Sequence, residues 1–331
     1  MISAPALRRK LIAWYRSNRR DLPWRRTTDP YRIWLSEIML QQTRAQAVIP
    51  YYHRFLEQFP TVEALAGAPE DSVLAAWSGL GYYSRARNLL AAARAIVQAG
   101  AFPRDYESIR ELPGVGDYTA AAVGSIAFGL PHAVVDGNVL RVLARLLDER
   151  AEITSTFTKR RLREEAERLL DRREPGLFNQ ALMELGATVC VPRAPRCSEC
   201  PLAGECEGYR QGTAAELPRK LRKKAPVEIA AAVAVVVRAG RVLLWRRPAS
   251  EGRMAGFWEL PDPAHLPGLR QGKSLGHFRH TITHHHYTFE VTSGEISRVP
   301  GRFRWVPRKH LSQVPLSTIA RKALRLSGEC K

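Results

Sequence analysis

The stretch from Leu112 to Asp136 constrains the fold more than any other. Leu112-Pro113-Gly114-Val115-Gly116-Asp117-Tyr118-Thr119-Ala120 closes one helical pattern, turns on Gly-Val-Gly and opens an Ala-rich pattern that ends at Phe128-Gly129. Gly114 and Gly116 both tolerate positive φ, and Asp117 reads as the cap of the second helix. Bare N–H groups at such a helix start form an anion site, whose usual occupant is a phosphate. An ordinary corner between two helices uses the same Pro and Gly punctuation, so the turn by itself leaves both readings open. Val134-Val135-Asp136-Gly137-Asn138 then supplies an acid about twenty residues further on.

Charge favours a polyanion as the partner. The 331 residues carry 51 Lys and Arg against 32 Asp and Glu, a net charge of +19. The excess is shared, with 17 basic against 7 acidic residues in 227–331 and 34 against 25 in 1–226. An Arg-rich soluble protein has the same balance, but two basic halves fit nucleic acid better. The length suits two domains. Arg8, Arg9 and Lys10 interrupt the N-terminus as a leader peptide would not, and no apolar run suits a membrane span, so a cytoplasmic, nucleoid-associated protein is expected.

Helical periodicity covers 7–17, 45–59, 69–77, 84–99, 105–111, 158–172 and 177–189, and Asp29-Pro30 starts a further helix. No strand alternation precedes residue 228. Residues 213–227 hold Arg219-Lys220 and Arg222-Lys223-Lys224 and read as a basic, exposed linker. Ile229–Val237 and Arg241–Trp245 then read as strands around a turn, with further strands at 287–292 and 302–306 and a closing helix after Leu316-Ser317.

Two sets of residues carry chemistry. Cys190, Cys197, Cys200 and Cys206 crowd into one short loop, and four thiolates so spaced hold either one zinc ion or a [4Fe–4S] cluster. Cys330 stands apart and reads as a free thiol. Glu37 is a lone acid in Trp34-Leu35-Ser36-Glu37-Ile38-Met39-Leu40-Gln41-Gln42-Thr43, on an aromatic-rich helix face where desolvation would keep it protonated. A solvated edge position is the commoner fate of such an acid.

Together these motifs resemble the adenine DNA glycosylase family of the helix–hairpin–helix, endonuclease III-like superfamily, from about Trp14 through Cys206 and more loosely beyond. The resemblance implies an all-α, two-lobed glycosylase domain over 1–212, with a six-helix lobe at about 24–130 and an iron–sulfur lobe from 1–23 and 131–212. It selects [4Fe–4S] over zinc, the cluster folding a loop on which Arg193 and Arg196 meet DNA. It implies removal of adenine mispaired with 8-oxoguanine or guanine in double-stranded DNA, by a monomer with no nucleotide cofactor. Glu37 then protonates the leaving base, while Asp136 stabilises the cationic sugar beside Asn138 and Tyr118. Bifunctional members carry Lys at position 118; Tyr118 cannot form an imine, so no strand-cleaving step is expected. Gln42 and Tyr82 match residues inserted into the duplex, Gly114 and Gly116 the DNA-binding hairpin, and Arg20, Trp24 and Gln180 an adenine pocket.

Residues 228–331 resemble the family's Nudix-like 8-oxoguanine reader, beginning at Gly256-Phe257-Trp258-Glu259-Leu260-Pro261. No Asp or Glu lies between Pro263 and Phe289, which removes the carboxylates a Nudix hydrolase uses for magnesium. The reader's Phe-Ser-His appears as Ile282-Thr283-His284, where Thr keeps the hydroxyl and Ile loses the stacking ring. A histidine metal site and a plain polar strand are the rival readings. On the same scaffold, a thymine- or uracil-mismatch glycosylase, a bifunctional lyase and a lesion-binding protein without catalysis are the alternatives.

Overall fold

The computed structural model describes residues 3–219, 225–248, 254–282 and 284–329. Thr283, Cys330 and the Lys220–Lys224 part of the expected linker lie outside them. By their contacts the residues form two units, 1–52 with 91–222 and 53–90 with 223–331.

In the first unit, α1 (Ala4–Asn18) precedes α2 (Pro30–Leu40), which Asp29 caps by accepting from the Tyr31 and Arg32 N–H groups. Seven consecutive α2 residues from Ile33 to Met39 are buried, so this helix is covered all round and carries Ser36 and Glu37 into the interior. The chain then enters α3 (Ala45–Gln58), where the unit boundary falls, and returns in the last part of α6 (Ser84–Gln98). Next come α7 (Tyr106–Arg110), α8 (Asp117–Phe128), α9 (Gly137–Leu146), α10 (Thr156–Leu169), α11 (Pro175–Thr188) and α12 (Glu207–Arg210). Helix α8 packs on α2, α7 and α11, and α11 also packs on α1 and α9. Leu7, Leu11 and Tyr15 of α1, Val142 and Leu143 of α9, Leu162 of α10, and Phe178 and Leu182 of α11 form one core, against which Cys190, Cys200 and Cys206 pack. Helix α9 was not expected from the sequence. Its first residues, Gly and Asn, read as a turn, but Asp136 is a working N-cap.

The second unit holds the rest of α3, α4 (Val62–Ala66), α5 (Glu70–Trp77), the first part of α6, and a C-terminal α+β domain. Its sheet contains β1 (Val227–Arg238), β2 (Arg241–Arg246), β3 (Trp258–Glu259), β4 (Leu269–Ile282), β5 (His285–Ile296) and β6 (Phe303–Pro307), and α13 (Thr318–Leu326) closes the chain. The order is β3-β2-β1-β5-β4 with β6 on β2. Strand β1 runs parallel to β5, whereas β4 and β5 form a long antiparallel hairpin. Ala320, Ala323 and Leu324 of α13 cover one sheet face.

Three expectations change. Asp117 is not the cap of α8: Gly116 is, without a side-chain bond, and Asp117 is the first helical residue. Only Gly114 uses the left-handed region, at φ 76°, while Gly116 stays at −111°. Residues 213–219 are not wholly exposed: Ala214 and Leu217 are buried, and the Leu217 carbonyl accepts from Arg145 Nε at 2.9 Å.

Helices α8 and α11 cross where Gly176 has no side chain. A Cβ there would lie 2.5 Å from the Ser125 carbonyl oxygen and 2.8 Å from Ile126 Cα, both backbone. Gly176→Ala should therefore destabilise the protein by about 1–3 kcal/mol, read from denaturant midpoints. An unchanged midpoint would mean the crossing is looser than described.

Candidate active site

Packing of α8 on α2 brings Tyr118 to Glu37. The Tyr118 hydroxyl donates to Glu37 Oε2 at 2.6 Å and lies 3.7 Å from Met183 Sδ on α11. Glu37 is 4 % exposed. Burial pushes its carboxyl up to about 7; the Tyr118 bond and Arg25 pull it down, and Asp136 pushes it up. Burial also raises the Tyr118 phenol well above its ordinary value, and both Glu37 and Asp136 add to the rise. The three side chains thus form one electrostatic group.

Asp136 arrives as the N-cap of α9. Its Oδ1 accepts from the Asn138 and Val139 N–H groups at 2.8 and 2.7 Å, and its Oδ2 from Asn138 Nδ2 at 2.8 Å. Burial raises its carboxyl, and these N–H donors together with Arg141 hold it down. Arg141 Nη2 donates to Asn138 Oδ1 at 2.9 Å and to the Gly186 carbonyl at 2.7 Å, and its Nε to the Cys190 carbonyl at 2.9 Å. Asn138 is therefore fixed at both ends of its amide.

The expected adenine-pocket residues sit nearby in mixed states. Arg20 and Arg25 both pair with Glu184 of α11, at 2.7 Å each, and Glu184 is fully buried. Its carboxyl is held at about 2, the arginine bonds outweighing the opposing effect of burial. Gln180 accepts from the Tyr15 hydroxyl at 3.2 Å and donates to the Gly176 carbonyl at 3.3 Å. Trp24 is buried edge-on to Tyr52.

Of the expected DNA contacts, Gln42 follows α2 at φ 58° and Tyr82 precedes α6 at φ 49°, both left-handed non-glycine residues. Such strained positions persist only where the surroundings fix them, and they gather at functional sites. Tyr82 is 54 % exposed, with the Arg85 guanidinium 5.6 Å from its ring. Gly114 and Gly116 lie at the start of α8, and Arg193 and Arg196 are exposed on the cysteine loop. His284 stands between β4 and β5, its ring 4.1 Å from that of His285. Ile282 ends β4 and His285 begins β5.

Cys190, Cys197, Cys200 and Cys206 line one cavity with Arg145. Arg145 is buried, its Nη1 lies 3.4 Å from Cys190 Sγ, and it also bonds the Val191, Pro192 and Leu217 carbonyls. Among the described residues no three His, Cys, Asp or Glu side chains gather tightly enough for a metal ion. Four convergent thiols beside a buried guanidinium nonetheless suit a thiolate-bound centre of negative charge. Sequence reasoning missed Glu184, Arg25, Arg141 and Arg145. A signal existed for Glu184, a lone acid in an apolar helix as Glu37 is.

The profile of the HhH-GPD superfamily of base excision DNA repair proteins matches residues 35–168, and that of the NUDIX domain matches 232–326. Fold and site thus define a helix–hairpin–helix DNA repair protein with a Nudix-like C-terminal domain. Adenine DNA glycosylases of Rattus norvegicus and Homo sapiens are each 35 % identical to the chain; the matches span 98 and 97 % of it and 80 and 74 % of theirs. A solved thermostable thymine-DNA glycosylase is 32 % identical with a TM-score of 0.58, over 63 % of this chain and 97 % of that one. The chain belongs to the adenine DNA glycosylase family.

Glu37 yields a stability test. Its folded pKa is raised above the unfolded value of about 4.3, so its protonated form favours the fold. That contribution is complete below about pH 4 and is lost as pH rises towards 7. Glu37→Gln keeps an acceptor for Tyr118 but cannot ionise. Melting curves should show the variant gaining on the wild type between pH 4 and 8, and parallel curves would refute the buried, raised carboxyl.

Proposed function

We propose that this protein is a monofunctional adenine DNA glycosylase that removes adenine paired with 8-oxoguanine or guanine in duplex DNA. The observation that carries the reading is the Tyr118 bond to the buried Glu37, with Asp136 in the same electrostatic group. Breaking an N-glycosidic bond needs a proton for the leaving base and a negative group for the oxocarbenium-like sugar. Glu37, titrating near 7, serves as the acid. Asp136, whose carboxyl burial raises and three N–H donors pull back towards the charged form, is the group assigned to the sugar. Tyr118 stands where an imine-forming lysine would be needed for strand cleavage.

Gln42 and Tyr82 serve as wedges that compensate the unstacking of the flipped base, which costs a few kcal/mol. The α8 start with Gly114 and Gly116, together with Arg193 and Arg196, contacts phosphates. Arg20, Trp24 and Gln180 line the adenine pocket. His284, together with Thr283, reads the opposite base. Cys190, Cys197, Cys200 and Cys206 would hold a [4Fe–4S] cluster, which when bound organises the loop and does no chemistry on the base. Domain limits of 1–212, 213–227 and 228–331, a monomer and a nucleoid-associated cytoplasmic place complete the reading. Among the described residues no helix is long and apolar enough to cross a membrane.

Duplexes carrying A:8-oxoG, A:G, T:G and U:G test it directly. Strand breaks should appear only at A and only after alkali. Breaks without alkali would make it a lyase, and breaks at T or U would overturn the base assignment. Glu37→Gln should lower the single-turnover rate by roughly 10²–10⁴-fold while mispair binding stays, and the wild-type rate should fall as pH rises above 7. Purified protein should contain about four iron and four sulfide per chain; zinc instead would refute the cluster.

A further inference from the structure

Tyr82 is held from both sides by the C-terminal domain. On its N-terminal side, the buried Ser78 Oγ donates to the Leu316 carbonyl at 2.7 Å. On its C-terminal side, the Tyr83 ring lies 3.9 Å from that of Phe257, and both rings are buried. The Tyr83 hydroxyl accepts from the Gly79 N–H at 3.3 Å and stands 3.5 Å from Thr318 Oγ1. Within the turn, Trp77 Nε1 and Arg85 Nη2 bond the Gly81 carbonyl at 3.2 and 3.1 Å. The Tyr82 side chain projects from this turn, half-exposed, on a left-handed backbone.

The anchor is itself part of the sheet. The Trp258 N–H donates to the Pro315 carbonyl and the Ser317 N–H to the Trp258 carbonyl, tying the Leu316 segment to β3. Strand β3 joins β2, in the same sheet as the β4–β5 hairpin that ends at His284. Two further ties bind α5 and α6 to the domain: Arg87 to the Ala255 carbonyl, and Asp71 to Arg246 at 2.5 Å.

We propose that Ser78 and Tyr83 are positioning residues through which the C-terminal domain holds Tyr82 in its displayed conformation. The domain then contributes to duplex opening as well as to reading a base, because wedge and reader share one support. A left-handed non-glycine residue with an exposed aromatic side chain is strained, and without Phe257 and Leu316 the turn is free to relax. This inference rests on the reading that Tyr82 enters the duplex.

The test uses the full-length holoenzyme and an A:8-oxoG duplex with 2-aminopurine beside the mispair, whose fluorescence rises on unstacking. Tyr82→Ala, Phe257→Ala, Ser78→Ala, Tyr83→Phe and the Tyr82→Ala/Phe257→Ala double variant are compared. Phe257→Ala should slow single-turnover excision about tenfold and reduce the fluorescence rise. Ser78→Ala should do the same more weakly, and Tyr83→Phe, which keeps the ring stack, should retain most of both. Because Phe257 acts through Tyr82, the double variant should be no slower than Tyr82→Ala alone.

Losses that multiply in the double variant overturn the proposal. So does a Phe257→Ala enzyme, folded by melting curve, with normal fluorescence while Tyr82→Ala has lost it. If Phe257→Ala does not fold, Ser78→Ala decides by the same readouts, an unchanged rise again overturning the clasp. A Tyr82→Ala enzyme of normal rate and fluorescence would remove the insertion reading itself, and the clasp with it.

Discussion

The protonated carboxyl at Glu37 depends on which partners the fold withholds from it. Three acids of the first unit, the buried Glu37 and Glu184 and the half-buried Asp136, meet three different sets of neighbours. Glu184 meets two guanidinium groups and stays charged down to about pH 2. Asp136 meets three N–H donors, which oppose the rise that burial causes. Glu37 has a phenol as its bonded partner and feels Arg25 only weakly, because Arg25 is engaged by Glu184. Burial therefore dominates at Glu37, and its carboxyl titrates near 7. Burial raises both Glu37 and Asp136, but only Asp136 is met by N–H donors, and acids so differently surrounded are how one site provides both a proton donor and an anion.

The same logic explains why so much arginine is buried. Arg141 and Arg145 lie one turn apart on α9, directly after the Asp136 cap. Their donors engage carbonyls from Gly137, Gly186, Cys190, Val191, Pro192 and Leu217. A loop rich in cysteine and proline has few regular hydrogen bonds of its own, and a planar guanidinium offers five donors in a fixed fork. One helix thus sets both the Asp136 cap and the frame of the cysteine loop. Displacing either guanidinium would strand several buried carbonyls at once.

The parts of this arrangement that could be read from sequence are those with local causes. The Gly-Val-Gly turn, the four-cysteine spacing, the Asp29-Pro30 helix start and the change to β-branched residues after 228 each encode their own geometry. Apolar neighbours alone would have left Glu37 at a solvated edge; it was legible through the family resemblance of Trp34–Thr43, and Glu184, in an equally apolar helix, went unread. Helix α9 was hidden because Gly137 and Asn138 look like turn residues, although Asp136 accepts from the Asn138 and Val139 N–H groups as an N-cap. Strand β4 was hidden because Leu269–Ile282 is mostly exposed and shows little apolar alternation; pairing along β5 makes it a strand. Asp117 was misread as a cap, since an acid is favourable anywhere in a helix's first turn and its sequence cannot say which position it takes.

That displaced acid changes the electrostatics of the hairpin. A carboxylate at the start of α8 would repel a phosphate, yet Asp117 is clamped by Arg110 Nε at 2.7 Å and by Arg163 Nη1 at 2.8 Å. The Arg110 and Arg163 bonds hold the carboxyl below its ordinary value, so it stays charged and keeps both arginines in place. Glu107 also pairs with Arg110 at 3.8 Å, so two guanidinium groups face two carboxylates, and both guanidinium groups remain half-exposed. The acid at the hairpin is therefore neutralised rather than left bare, by guanidinium groups anchored on α7 and α10 and not by a flexible side chain in the turn. A rigid cation beside free N–H groups loses less entropy on meeting a phosphate than a mobile one does, which favours register over raw attraction.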